Sequence, residues 1–279
     1  MLEAAEGDLE IRAAVTIAGD EIAFDFAGTA PQHEGNLNCP LAVTRSACYF
    51  VVRCLTAPDL PAVGRRLRAR HGHAPEARSS TRAPPAAVAA GNVETSCRIV
   101  DCSSRRFGQA VPVPAQGQGT MNNLTFGNER FTYYETIGGG QGACPDADGP
   151  SAVHVTMSNT LTTRPRRSSS RTRCESSAMR CGSARAATAC HRGGDGVVRE
   201  LRVLEPCRIS IISERRRHAP QGVQGGEPGQ PAATCVNDEE LPSKATRTSR
   251  PATSSGSKRR EAAASARPTR PPLPVGIRA

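Results

Sequence analysis

PAAVAAGNVETSCRIVD (85–101), QGTMNNLTFG (118–127), FTYYETIGGGQGA (131–143) and VHVTMSNT (153–160) fill the middle of the chain. Small residues, amides and glycine runs alternate in them with isolated apolar positions. That is the texture of a backbone shaped around something rather than a plain core. The segments outside this stretch divide into those that share its character and those that do not.

Residues 9–26 share its order. Leu9, Ile11, Ala13, Val15 and Ile17 alternate with Glu10, Arg12 and Thr16, and after Gly19-Asp20 Ile22, Phe24 and Phe26 alternate with Glu21 and Asp25. This period of two predicts a β-hairpin with one buried face. LAVTRSACYFVVRCL (41–55) carries its apolar residues on a helical period and predicts a buried helix. A second helix is expected over 92–101, and strands around Thr120, Tyr133, Val153, Val197 and Ile209, with 197–204 and 207–212 paired. Residues 61–83, 102–107 and 162–190 break the pattern with runs of Arg, Ser and Pro, and 245–279 reads as a disordered tail. The expected architecture is α+β: a mixed sheet remnant with a few helices in one domain over 1–244, interrupted by disordered insertions.

Composition restricts the function. The 279 residues could bury a real core, yet aromatics are 3% with no Trp, and the net charge is +10. The positive excess is local, coming mainly from the irregular segments and residues 215–217. No apolar run is long enough to span a membrane and the acidic start MLEAAEGDLE lacks a signal core, so a cytoplasmic location is expected. The eleven cysteines, an odd number in a chain of this size, read as reduced thiols.

PLAVTRSA (40–47), PPAAVAAGNVETS (84–96), QGTMNNLTFG, YYETIGGGQGA (133–143), the VH and NT pairs of 153–160, RGGDGVVRE (192–200) and SERRRHAPQGVQGGEPG (213–229) together resemble the C-terminal half of the hydantoinase B/oxoprolinase family. These motifs occur in family order over a little more than half the chain. The resemblance implies the B-type component of an ATP-dependent cyclic-amide hydrolase. ATP would be used by a separate hydantoinase A-type subunit that phosphorylates the oxygen of a lactam or hydantoin, and the B component would complete hydrolysis. The family also implies a divalent metal, held by His- and Asp-bearing motifs that have no counterpart here, so no metal ligand is assigned. Family B components look roughly twice this length, which predicts a fragment inactive alone. The irregular segments read as out-of-frame translation. Codons for a family-like Gly-Ser-Leu-Leu-Asn-Ala-Arg-Pro, read one base late, give ARSSTRAP, the peptide at 77–84.

Opening an amide needs donors aimed at a developing oxyanion and a placed acid or base. Gly138, Gly139 and Gly140 could present backbone N–H groups, with Glu135 positioning water; a tight turn between strands is the plainer reading. Asn92 and Glu94 suit a helix start as N-cap and dipole partner, and the resemblance adds a role lining the substrate site, as it does for Asn122 and Asn123. His154 is the second catalytic candidate, although a lone strand histidine is usually structural and relatives often carry another His where this chain has Thr156. Cys174, Cys181, Cys190 and His191 lack paired zinc-knuckle spacing. Arg215–Arg217 could hold an anion but read first as a solvated charge run. A basic, partly disordered nucleic-acid-binding protein is the alternative, disfavoured because the arginines lack interleaved aromatics.

Overall fold

The computed structural model describes residues 1–56, 69–71, 85–161, 174–181, 191–237, 239–249 and 275–278. In chain order these form β1 (Leu2–Glu3), β2 (Asp8–Leu9), β3 (Ala14–Ala18), β4 (Glu21–Asp25), α1 (Leu41–Leu55) and β5 (Ala69–His71). A π-helical turn (Gly91–Thr95) leads into α2 (Ser96–Phe107), followed by β6 (Asn123–Gly127), β7 (Thr132–Thr136), β8 (Cys174–Cys181) and β9 (Val197–Val203). The rest are β10 (Cys207–Ile212), β11 (Ala233–Val236), β12 (Glu239–Leu241), β13 (Lys244–Ser249) and β14 (Val275–Arg278). Their sheets run β1-β2, β3-β4-β5, β13-β10-β6-β7 and β12-β11-β14-β9-β8. The class is mixed α+β, as the pattern predicts.

Two apolar cores result. In the first, β3 and β4 turn at Gly19 and pack with α1 and α2. α1 matches its expected bounds, because Thr44, Ala47, Cys48, Val51 and Val52 form one buried stripe. The hairpin buries Phe24 and Phe26, but Ile17 at its tip is 56% exposed. The second core lies between the two larger sheets, where Leu124, Phe126, Ile209 and Ile211 face Val197, Leu201 and Val203.

The structure corrects three expectations. Residues 102–107 are not irregular but complete α2. Phe107 is buried with its ring 6.0 Å from that of Phe24, and Arg106 Nε donates to the Ala13 carbonyl at 2.8 Å, so tertiary contacts override weak local patterning. β9 and β10 do not pair with each other. Their apolar faces oppose across the core, and Leu204–Pro206 carries the chain from one sheet to the other. Residues 245–249 belong to β13, which pairs along β10 from Cys207↔Ser249 to Ile212↔Lys244, with Ser210 and Thr246 hydroxyls 3.0 Å apart. Most of 61–83 and 162–190 and of the tail beyond 249 lies outside the described residues.

One ion pair stands between the sheets. Arg199 Nε on β9 donates to Glu135 Oε2 on β7 at 3.1 Å, both side chains nearly inaccessible. Removing one partner strands a buried charge, whereas replacing both by apolar groups does not. Glu135→Leu should therefore lower unfolding free energy by about 3–5 kcal/mol. The double variant E135L/R199M should recover most of that loss in urea denaturation.

Candidate functional site

One end of the four-stranded sheet collects the chemistry. In register, Lys244, Ile212, Asn123 and Thr136 form its last row. Just beyond that row the chain continues into Ser213–His218, back through Thr120–Asn122 and forward into the glycine run after Ile137. The face of α2 and its π turn that bears Glu94, Arg98 and Asp101, spaced about one and two turns apart, covers this end.

A charged triad joins the pieces. Arg98 donates to the Gly119 carbonyl and lies 2.9 Å from Asp101 Oδ2, the oxygen that also accepts Arg215 Nη2 at 2.6 Å. Arg215 further donates to the carbonyls of Gln118 at 3.1 Å and Gly117 at 3.2 Å, and to Gln116 Oε1 at 3.2 Å. Gly119 has φ +54°, and a Cβ there would sit 2.1 Å from Arg98 Nη2 and 2.9 Å from Arg215 Nη2. Only glycine lets the backbone lie on two guanidiniums in this conformation. Arg215 and Arg216 are thus internal groups rather than a solvated run, and burial lowers each guanidinium to about 10.

The loop 213–218 is fixed from its other side as well. Glu214 accepts the Glu3 amide at 3.1 Å and pairs with Lys244. Glu3 Oε1 in turn accepts the amides of Arg217 at 2.8 Å and His218 at 3.0 Å. Burial works against ionisation of Glu3, but those amides outweigh it and hold its carboxyl below the usual range.

Glu94 is fully buried at the centre. Its Oε1 accepts Thr120 Oγ1 at 2.8 Å, and Thr120 Oγ1 accepts the Asn122 amide at 3.1 Å. Oε2 has no hydrogen-bond partner among the described residues. Burial pushes the carboxyl up to about 8; Lys244 opposes that shift and Glu214 reinforces it. Asn122, also fully buried and at φ +43°, accepts Arg216 Nη1 on Oδ1 at 3.0 Å.

The other expected residues divide. The glycine run lies alongside: Gln118 donates to the Ile137 carbonyl at 2.7 Å, and its own amide donates to the Gly140 carbonyl at 2.9 Å. The Gly139 amide already donates to the Val153 carbonyl at 2.9 Å, and a Cβ on Gly140 would meet the Gly194 carbonyl oxygen at 2.1 Å. Close backbone packing accounts for glycine there. His154 borders the run, its ring 3.4 Å from where a Cβ on Gly138 would be. His154 Nδ1 is 2.5 Å from Ser158 Oγ, Nε2 is 3.3 Å from Thr160 Oγ1, and partial burial lowers its pKa. Thr156, two residues on, is held at φ +57°, a costly conformation for a β-branched residue.

Asn123, by contrast, accepts Tyr134 OH at 2.9 Å and Thr136 Oγ1 at 3.2 Å, and Glu135 is held by Arg199 between the sheets. Asn92 is exposed, and the π turn has no side-chain cap. The expected capping by Asn92 is absent because the helical turn starts one residue earlier, at Gly91 with Ala90 as its N-cap, packed on Asn38. Among the described residues no three His, Cys, Asp or Glu side chains gather as metal ligands. Cys190 lies outside the described residues, and His191 is instead 3.6 Å from Asp148.

The sequence model of hydantoinase B/oxoprolinase matches residues 2–266. The chain belongs to the hydantoinase B/oxoprolinase family. It is 42% identical over 217 residues to 5-oxoprolinase 1 of Arabidopsis thaliana, a match spanning 77% of this chain and 17% of that relative. It therefore spans about a sixth of the length of that protein. The fold is similar to that of the ATP-dependent caprolactamase of Pseudomonas jessenii, with a TM-score of 0.76 at 16% identity over 98% of this chain and 48% of that one. Acetone carboxylase in its nucleotide-free structure is similar at a TM-score of 0.68 and 15% identity, over 81% of this chain and 32% of its own.

Gly119→Ala should cost about 2–4 kcal/mol, since it adds a clash to a strained φ, measured as a lower urea midpoint. Glu94 makes stability pH-dependent with a definite sign. The fold prefers its neutral form, so its contribution is complete below the ordinary Glu value of 4.5 and is lost as pH rises through about 8. Glu94→Gln should match the parent at pH 4 and show the higher urea midpoint at pH 9.

Proposed function

We propose that this chain forms part of the B-type component of an ATP-dependent cyclic-amide hydrolase of the 5-oxoprolinase or hydantoinase kind. The observation that carries this reading is the family match over residues 2–266, joined to a fold like that of an ATP-dependent caprolactamase. An A-type partner uses ATP to phosphorylate the amide oxygen. Water then adds to the activated carbon and the ring C–N bond breaks, the nitrogen taking a proton, which leaves an acyl phosphate that a second water hydrolyses to carboxylate and phosphate. A supply of ATP implies a cytoplasmic setting. The Arg/Ser/Pro stretches at 61–83 and 162–190 fit the same reading as out-of-frame insertions in a family sequence.

Within this chain His154 takes the acid–base role. Its partial burial keeps the imidazole neutral near pH 7, able to accept a proton from attacking water. Ser158 and Thr160 orient its two nitrogens. Glu94 and Asn122 line the substrate side, while Asn92, Asn123, Glu135 and the run Gly138–Gly140 support the backbone around them. Nothing favours nucleic acid: Arg98, Arg215 and Arg216 are buried and bonded internally.

The chain alone should not open 5-oxoproline in the presence of ATP. Joined to the remainder of a family B component and mixed with an A-type partner, it should do so, and His154→Ala should lower kcat about 100-fold or more. Ring opening by the chain alone, or an undiminished H154A assembly, would contradict the assignment.

A further inference from the structure

Far from the sheet end, the N-terminal hairpin leaves one side open. β3 pairs with β4 alone, so its other side is an edge of the sheet. Gly19 at φ +60° and Asp20 close a two-residue turn, which makes Ala18 and Glu21 a hydrogen-bonded pair. Alternation then directs the backbone groups of Ala14 and Thr16 toward β4 and those of Ala13, Val15 and Ile17 outward. The contacts of α2 agree. Cys102 Sγ lies 3.6 Å from the Ile11 carbonyl and Arg106 Nε donates to that of Ala13 at 2.8 Å, both on this outer side. α2 thus covers the start of the edge and goes no further. Among the described residues, no strand or side chain takes the outward groups of Val15 and Ile17. Exposed edges are ordinarily blunted by charge or proline. AVTIA has neither, and Ile17 is 56% exposed beside the partly buried Val15 and Ile22.

The two ends of this edge carry opposite charge. Arg12 and Arg106 stand at its start, and Asp20 and Glu21 at its tip; Arg12, Arg106 and Asp20 are exposed. A parallel partner copy would set like ends together, whereas a copy related by a two-fold axis sets opposite ends together. One register uses both free residues and no others. With the axis at Thr16, Val15 of each copy meets Ile17 of the other in hydrogen-bonded pairs, and Thr16 faces Thr16 between them. That register brings Arg12, now paired with Glu10 at 2.8 Å, level with Asp20 of the second copy. It also joins Val15 and Ile17 of both copies in one apolar row. Moving the axis by one residue would call on the Ala13 carbonyl, which Arg106 occupies, or on Gly19 within the turn. We propose that the chain forms a two-fold dimer in which β3 pairs antiparallel with β3 of a second copy, centred on Thr16.

Sedimentation velocity of the full chain, diluted from submillimolar to micromolar, should show reversible exchange between dimer and monomer. It needs no ATP and no A-type partner, so its outcome is independent of the hydrolase reading. Ile17→Lys, which charges the edge, and Thr16→Lys, which sets like charges opposite one another, should each leave a monomer over the whole series. Both side chains are exposed, so at the dilute end their urea midpoints should equal the parent's, which separates lost pairing from lost folding. Asp20→Lys should weaken dimerisation about fivefold. Oxidation reads the register. In Thr16→Cys the two thiols face each other across a Cα separation of about 4.5 Å, within disulfide range, and covalent dimer should exceed that of the parent chain. Ala14→Cys, whose opposite number is Ala18 of the second copy, should not exceed it. A chain monomeric throughout, a dimer that survives both T16K and I17K, or equal cross-linking of T16C and A14C would each overturn the proposal.

Discussion

The Asp101 carboxylate, caught between Arg98 and Arg215, is the contact on which the assembly depends. Arg98 belongs to the helical core and Arg215 to the end of the sheet core, so this one anion couples two bodies whose apolar contents are largely separate. The two guanidiniums repel one another and are drawn together only by what lies between them. Gly119 supplies the remaining acceptor with its carbonyl and, lacking a Cβ, permits the approach. A buried ion cluster of this kind gives little net stability, because desolvation offsets attraction. Its value is positional, since the wrong arrangement would leave charges unpaired.

That positional constraint extends to Glu94. With the sheet end and the helix face fixed, Thr120 must donate to Glu94 and cannot also satisfy its second oxygen. The carboxyl has cations nearby, yet burial dominates and keeps it neutral near pH 7.

How much of this the sequence disclosed depends on the range of the interactions. α1 was legible because its stripe is local, and the hairpin because alternation and Gly19-Asp20 sit within a few residues. The continuation of α2 through CSSRRF was not, since Phe107 and Arg106 are held by Phe24 and Ala13, more than eighty residues earlier. For the same reason Arg215 looked like a surface run: its acceptor Asp101 lies 114 positions away. Glu94 and Asn122 were singled out through family motifs, whereas the contribution of Arg216 is visible only once β6 and β10 pair. Glu135 illustrates the converse, a residue placed beside a glycine run in sequence but turned by strand alternation toward Arg199.

The glycine run follows the same logic. Three glycines in a row suggest free amides for an anion, and their geometry gives a different cause. A Cβ on Gly140 would overlap the Gly194 carbonyl, one on Gly139 would run into the Gln118 side chain, and one on Gly138 would crowd the Val153 carbonyl. The polar side chains that meet beyond the sheet end come instead from three different elements: the π turn, the residue entering β6 and the loop leaving β10. Backbone compaction at 138–140 holds the Gln118 amide and the 117–120 turn in place, and that turn in turn aims Thr120 at Glu94. The glycines thus act on the site through packing, which is why substitution there would disturb its geometry before its chemistry.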